Sequence, residues 1–278
     1  MPLTSLGELV GSASRRGCAV GAFSVGNMEM VMGAVHAAEQ ANTPIILQIA
    51  QVRLPYSPLE YMAPLMLAAA KNSSVPVAVH LDHGLDEQTV LKALSLGFTS
   101  VMLDASSLDF EGNIAATCRV VEAAREYGAS VEAELGVVGG NEGGGASHAI
   151  QCTDPDAAAQ FCARTGIDAL AVAIGNAHGN YPVLPSLRFD ILEAISRVYT
   201  VPLVLHGGTG ITEPMFRRCI DLGVRKINIA TASFDSLARS AAQYLNDAPK
   251  PDYFALSRAM EQGVYDNVLR HINIFNNR

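Results

Sequence analysis

Residues 76–104 read PVAVHLDHGLDEQTVLKALSLGFTSVMLD, and this stretch decides the fold. It opens with a short apolar run, Pro76–Asp82. A helical pattern follows from Glu87 to Leu96, closes on Gly97, and gives way to a second apolar run, Ser100–Asp104. Near-continuous apolar runs joined by a helix mark parallel strands covered on both faces. The same unit recurs in both directions along the chain. Candidate strands are Ala19–Ser24, Pro44–Ile49, Pro76–Asp82, Ser100–Asp104, Ser130–Leu135, Ala169–Ile174, Leu203–His206 and Lys226–Ile229. Between them, Met28–Ala41, Pro58–Asn72, Glu87–Leu96, Ile114–Tyr127, Pro155–Thr165, Phe189–Val198 and Glu213–Leu222 carry apolar residues at helical spacing. Ser57, Asp154 and Thr212 stand where helices start, and Gly97, Gly128, Gly166 and Gly223 where they end.

Eight such units in one series predict a (β/α)8 barrel, the TIM-barrel class of α/β fold, as a single catalytic domain over residues 1–278. A doubly wound sheet is the alternative, but no G-x-G-x-x-G follows the first strand. The chain continues as an extended C-terminal helical tail from Ala232 to about His271. That tail is longer than one barrel helix and is expected to cover a neighbour or the barrel floor.

Composition excludes several classes. The 278 residues are 49% hydrophobic and 17% charged, too apolar for a disordered chain. Net charge is −8 with no basic tract, so no nucleic-acid partner is expected. No apolar run reaches the roughly 18 residues of a membrane helix, and Met1–Arg16 shows no secretory leader. Cys18, Cys118, Cys152, Cys162 and Cys219 form no C-x-x-C pair and read as reduced thiols. The expectation is a cytoplasmic protein without a membrane partner.

Three of the seven histidines, His83, His178 and His206, lie at or just after strand ends. On a barrel they meet at the C-terminal face. Three imidazoles with an open fourth position are the ligand set of a catalytic zinc, although a lone strand-end histidine is more often packed or hydrogen-bonded. His80 alternates with Asp82 and reads as an interior residue behind such a site. Glu132 and Glu134 share one face of the fifth strand, and Glu132 reads as a partner of a metal-bound histidine. Asp82, next to His83, reads as a general acid or base. Gly207-Gly208-Thr209-Gly210 and Asn228-Ile229-Ala230-Thr231 follow strands seven and eight, where barrels place phosphate. Gly139–Gly145, with five glycines in seven residues, follows the fifth strand and reads as a lid. Only four lysines are present. Lys71, Lys92 and Lys250 fall on helices or a loop, and Lys226 is expected at the face opposite the site. None is placed for a Schiff base, so a metal is expected as the electrophile.

These motifs, in order, resemble a known family. His80-Leu81-Asp82-His83-Gly84, Glu132-Ala133-Glu134-Leu135-Gly136, Asn176-Ala177-His178-Gly179, Leu205-His206-Gly207-Gly208-Thr209-Gly210 and Asn228-Ile229-Ala230-Thr231 resemble the signatures of class II, zinc-dependent ketose-bisphosphate aldolases. The short length and Ala230 are similar to the tagatose-bisphosphate branch rather than the longer fructose-bisphosphate branch. The resemblance implies zinc on His83, His178 and His206, with Asp104 and Glu134 at a second or displaced metal position. It implies Asp82 as the acid/base at the C4 oxygen and Glu142 as the base at C3. It implies a ketose phosphate cradled by Gly179, Gly207, Gly208, Thr209, Asn228, Ala230 and Thr231, beside a monovalent cation (Na+ or K+). A homodimer or homotetramer is implied as well.

Three departures fall near the aldehyde half of the substrate. Ser24 replaces a common asparagine, Ile49-Ala50-Gln51-Val52 lacks the usual small hydroxyl, and Asn141 stands beside Glu142 in place of a second acid. The expected reaction is reversible retro-aldol cleavage to dihydroxyacetone phosphate and an aldehyde. The alternatives are a metal-dependent sugar-phosphate epimerase or isomerase, and a non-catalytic subunit of an aldolase complex.

Overall fold

The computed structural model describes residues 2–140, 150–181 and 183–276. Eight parallel strands close into a barrel in sequence order: β1 Val20–Ser24, β2 Ile45–Ala50, β3 Val77–Gly84, β4 Ser100–Leu103, β5 Ser130–Leu135, β6 Ala169–Val172, β7 Leu203–Leu205 and β8 Val224–Ile229. β1 pairs with β8 at Ala22↔Asn228, which removes both sheet edges. Helices α2 (Met28–Gln40), α3 (Leu59–Asn72), α4 (Glu87–Ser95), α5 (Phe110–Glu126), α6 (Pro155–Thr165), α7 (Phe189–Ser196) and α8 (Glu213–Asp221) follow strands β1 to β7.

Local chemistry fixes their ends. The side chains of Asn27, Asp86, Asp109 and Asp154 accept from backbone N–H groups in the first turns of α2, α4, α5 and α6. Asp109 starts α5 four residues ahead of the apolar periodicity. Gly166 ends α6 in the left-handed region at φ 69°, where a side chain would be strained. Ser57 does not cap α3; its Oγ donates to the carbonyl of Gly26 and ties two mouth loops together.

Two parts of the chain differ from the sequence reading. A helix precedes the first strand: α1, Leu6–Arg16. Its buried Leu6, Leu9, Val10 and Ala13 sit at i, i+3, i+4 and i+7 and pack on Val20, Ala22, Ile46, Ala78, Ala169, Ala171 and Val204 at the N-terminal end of the barrel. The tail therefore does not cover the floor, because α1 already does. The tail itself is two helices, α9 (Thr231–Asp247) and α10 (Tyr253–Phe275), broken at Pro249-Lys250-Pro251. α10 packs against α2, α8, α9 and β1, so it fills the eighth helical position of the outer ring. No helix among the described residues is long and apolar enough to cross a membrane.

Candidate active site

The pleat sends alternate residues of β3 into the barrel, so His80 and Asp82 point inward and His83 should point out to the helices. The strand avoids this. Its register with β4 shifts between Leu81 and Gly84, and His83 takes φ 42°, a left-handed conformation rare outside glycine. The irregularity turns His83 to the same side as Asp82, and both are buried. Backbone strain of this kind costs roughly 1–3 kcal/mol and survives where the surroundings hold it.

His83, His178 and His206 converge. His83 Nε2 lies 3.1 Å from His178 Nε2 and 2.7 Å from His206 Nδ1. The remaining nitrogens explain this choice of atoms. His83 Nδ1 bonds Asp104 Oδ2 at 2.8 Å, and His206 Nε2 bonds Glu132 Oε1 at 2.8 Å. Each carboxylate engages one ring nitrogen and so turns the other nitrogen of that ring toward the centre. Four ligands at about 2.1 Å around a tetrahedral ion stand about 3.4 Å apart, so these nitrogens, at 3.1 and 2.7 Å, need move apart by less than an ångström to take one. Glu134 adds a buried oxygen, Oε2, that has no hydrogen-bond partner among the described residues and lies 3.8 Å from His206 Nδ1. The donor set, three imidazoles and one unengaged carboxylate oxygen, fits a divalent ion.

Electrostatics point the same way. Burial works against charge on His83, but Asp82, then Asp104 and Glu134, outweigh it and push the imidazole up to about 10. Burial, then the Asp104 charge, pushes Glu134 up to about 8. Asp104 is opposed by burial yet held below the usual carboxylate range by His83 and Ser106. Burial and then the His83 charge keep His178 and His206 far below the ordinary histidine value, so both are neutral. Three carboxylates around one imidazole create a local demand for positive charge, while the other two imidazoles stay neutral, the form that binds a metal.

Asp82 is fully buried and clamped. Gln48 Nε2 donates to its Oδ2 and Asn228 Nδ2 to its Oδ1, each at 3.0 Å. Gln48 Nε2 also reaches Ser24 Oγ at 3.2 Å. Gln48 escaped the sequence reading, although an amide in the apolar run Ile45–Ala50 was a visible signal. Asn228, which the resemblance assigns to the phosphate, places its amide on Asp82.

The phosphate candidates Gly179, Gly207, Gly208, Thr209, Asn228, Ala230 and Thr231 all line one hollow, together with His178. Gly207, at φ 66°, passes so close to the β6 loop that a Cβ would sit 2.1 Å from the carbonyl oxygen of Ala177. Tyr181, unforeseen from sequence, bridges the same loops: its hydroxyl accepts from Ala177 N and donates to the carbonyl of Gly207. Thr209 Oγ1 accepts from Ala232 N and so seats the N-terminus of α9 beside the cradle. A second hollow, lined by His83, Asp104, Ser106, Glu134, Gly140 and His178, adjoins it through His178. Asp104 is thus placed behind His83, and its other oxygen is held by Ser106. The lid glycines 143–145, together with Asn141, Glu142 and His148, lie outside the described residues.

Lys226 corrects the sequence reading. It does not lie at the far face: its side chain is fully buried inside the barrel, with Nζ 2.8 Å from Glu132 Oε2. Its engagement with Glu132, rather than its distance from the mouth, is what disqualifies it as a free nucleophile.

Comparison with known proteins places this geometry. Residues 4–278 match the family described as fructose-bisphosphate aldolase class-II. A probable fructose-bisphosphate aldolase of Bacillus subtilis is 41% identical over 257 residues, 91% of this chain and 90% of that protein. A fructose-bisphosphate aldolase of Staphylococcus aureus is 40% identical over 250 residues, 89% of this chain and 87% of that protein. The crystal structure of the YdjI aldolase from Escherichia coli K12 superposes with a TM-score of 0.88 at 34% identity, covering 98% of this chain and 97% of that one. The chain belongs to the class II fructose-bisphosphate aldolase family and is a carbon–carbon lyase of phosphorylated sugars.

Proposed function

We propose that this aldolase is zinc-dependent and cleaves a ketose 1-phosphate or 1,6-bisphosphate reversibly between C3 and C4, giving dihydroxyacetone phosphate and an aldehyde. One observation carries the reading: His83 Nε2, His178 Nε2 and His206 Nδ1 converge within the reach of a single ion. His83, His178 and His206 would hold the zinc ion, whose chemistry there would be Lewis-acid polarisation of the ketose carbonyl. Asp82 takes the proton of the C4 hydroxyl as the C3–C4 bond breaks, and returns it to that oxygen in the condensation direction. Gln48 and Asn228 hold its carboxylate for this step, one on each oxygen. Backbone N–H groups of the Gly207–Thr209 turn and of the α9 N-terminus bind the C1 phosphate, with a monovalent cation beside them. Asp104 and Glu134, with His83, make a second three-residue group that would hold the ion in a displaced position. Glu142 moves the C3 proton; it lies outside the described residues.

The sequence resemblance favours a tagatose-like sugar, whereas the curated relatives named above are called fructose-bisphosphate aldolases. Those sugars differ at C4, where Asp82 acts. The test is a panel of ketose 1-phosphates and 1,6-bisphosphates of both C4 configurations, with coupled detection of dihydroxyacetone phosphate. Release from one configuration is expected. Conversion of a panel member to an isomer with no dihydroxyacetone phosphate would overturn the assignment.

A further inference from the structure

Lysine is almost never fully buried unless paired. Lys226 is 0% exposed in the middle of the barrel. Its Nζ lies 2.8 Å from Glu132 Oε2, and the other oxygen of Glu132 lies 2.8 Å from His206 Nε2. Glu132 is 0% exposed as well. The carboxylate is thus divided between two partners, an ammonium on one oxygen and a ring N–H on the other. Among the described residues one other imidazole stands near that first oxygen, and it does not replace the lysine. His80 Nε2 is 3.7 Å from Glu132 Oε2, while its Nδ1 bonds Ser100 Oγ at 2.9 Å. Burial, then the Lys226 charge, keeps His80 neutral.

We propose that Lys226 is a positioning residue for the metal. By anchoring Glu132 it fixes the orientation and tautomer of His206, and so sets how tightly the three-imidazole site holds its ion. The inference rests on the metal reading given above. Its physical basis is the buried carboxylate. With Lys226 in place, Glu132 has a defined rotamer, presents Oε1 to His206 Nε2–H, and leaves Nδ1 aimed at the centre. Without it, Glu132 is a buried anion whose one strong contact among the described residues is the ring N–H. Such a group reorganises toward any other partner, and a ligand held by it loses its alignment. Partners standing one bond behind a metal ligand are typically worth about 10- to 100-fold in metal affinity. A lysine that merely filled space would be worth nothing on that scale.

The experiment compares the full chain with Lys226→Met, Glu132→Gln and the double variant. Zinc dissociation constants are measured by chelator competition, and cobalt-substituted proteins are compared by visible absorption. Lys226→Met is expected to weaken zinc about 10- to 100-fold and to shift the cobalt bands, because the His206 ligand turns. The double variant is expected to bind zinc within twofold of Glu132→Gln alone, since Lys226 acts only through Glu132. If Lys226→Met does not fold, Lys226→Gln, which removes the charge and keeps a polar group in the same space, takes its place in the same comparison. Zinc binding by Lys226→Met within twofold of the parent would overturn the proposal, as would losses that multiply in the double variant. A parent chain that binds no zinc, or a His206→Ala variant that binds it fully, would instead overturn the metal reading.

Discussion

The two ends of the barrel interior are built from the same strands and do opposite things. At the floor, the inward positions of β1, β2, β3, β6 and β7 hold Ala22, Ile46, Ala78, Ala169, Ala171 and Val204, sealed by Leu6, Leu9, Val10 and Ala13 of α1. At the mouth, the ends of β3, β5, β7 and β8 carry Asp82, His83, Glu134, His206 and Asn228, all buried. The floor gains stability by removing apolar surface from water. The mouth gathers histidines and carboxylates, and it holds His83 in a left-handed backbone conformation. Between them lies a layer with Gln48, His80, Glu132 and Lys226, also buried. This layer joins the apolar scaffold to the mouth: Glu132 bonds His206 and Gln48 bonds Asp82.

The comparison can be broken at either end. The largest effect is expected at the mouth. Asp82→Ala should lower kcat about a thousandfold while zinc stays bound, because Asp82 acts on the proton and is not one of the three converging imidazoles. Bound zinc and initial rates check it, and cleavage near the parent rate would remove Asp82 from its role. At the floor, Leu6→Ala should cost about 3 kcal/mol of stability by opening a cavity under the barrel, with kcat unchanged below the transition. Denaturant melts alongside rates check that separation.

A further test uses a histidine that belongs to the scaffold. His271 on α10 is buried against Phe23, Phe216 and Phe275, and its Nδ1 bonds the carbonyl of Asn267. Burial pushes its pKa down to about 4. The unfolded chain therefore takes up this proton first as pH falls. The stability tied to a neutral His271 is complete above about pH 6.5 and is lost by about pH 4, amounting to about 3 kcal/mol. His271→Leu should flatten that acid limb in a Tm-against-pH series and leave zinc affinity alone. The smallest effect is expected outside the barrel. Lys92 and Glu60 pair on the surface with both side chains about half exposed, and Lys92→Ala should leave Tm and kcat where they are.

Much of this was readable in advance, for physical reasons. The eight strands announce themselves as apolar runs because parallel strands are covered on both faces. The histidines, Asp82 and the glycine turns announce themselves by standing where those runs stop. What was missed needed three dimensions. Two-residue periodicity puts Asp82 and His83 on opposite faces, and only the β3 irregularity brings them together. The apolar run marks β8 from Lys226, which puts the lysine at its remote end, whereas the strand starts at Val224 and carries the lysine inward. α1 had a clean helical spacing in Leu6, Leu9, Val10 and Ala13, but a segment ahead of the first strand has no strand to define its partner. The break in the tail was written in Pro249 and Pro251, which cannot continue a helix.

The most direct test of the account is cleavage by the purified full chain after exhaustive chelation, and again after one equivalent of zinc is restored. Dihydroxyacetone phosphate released from a ketose 1,6-bisphosphate should vanish on chelation and return with zinc, and it should not return in His83→Ala. Cleavage that survives chelation undiminished would contradict the account.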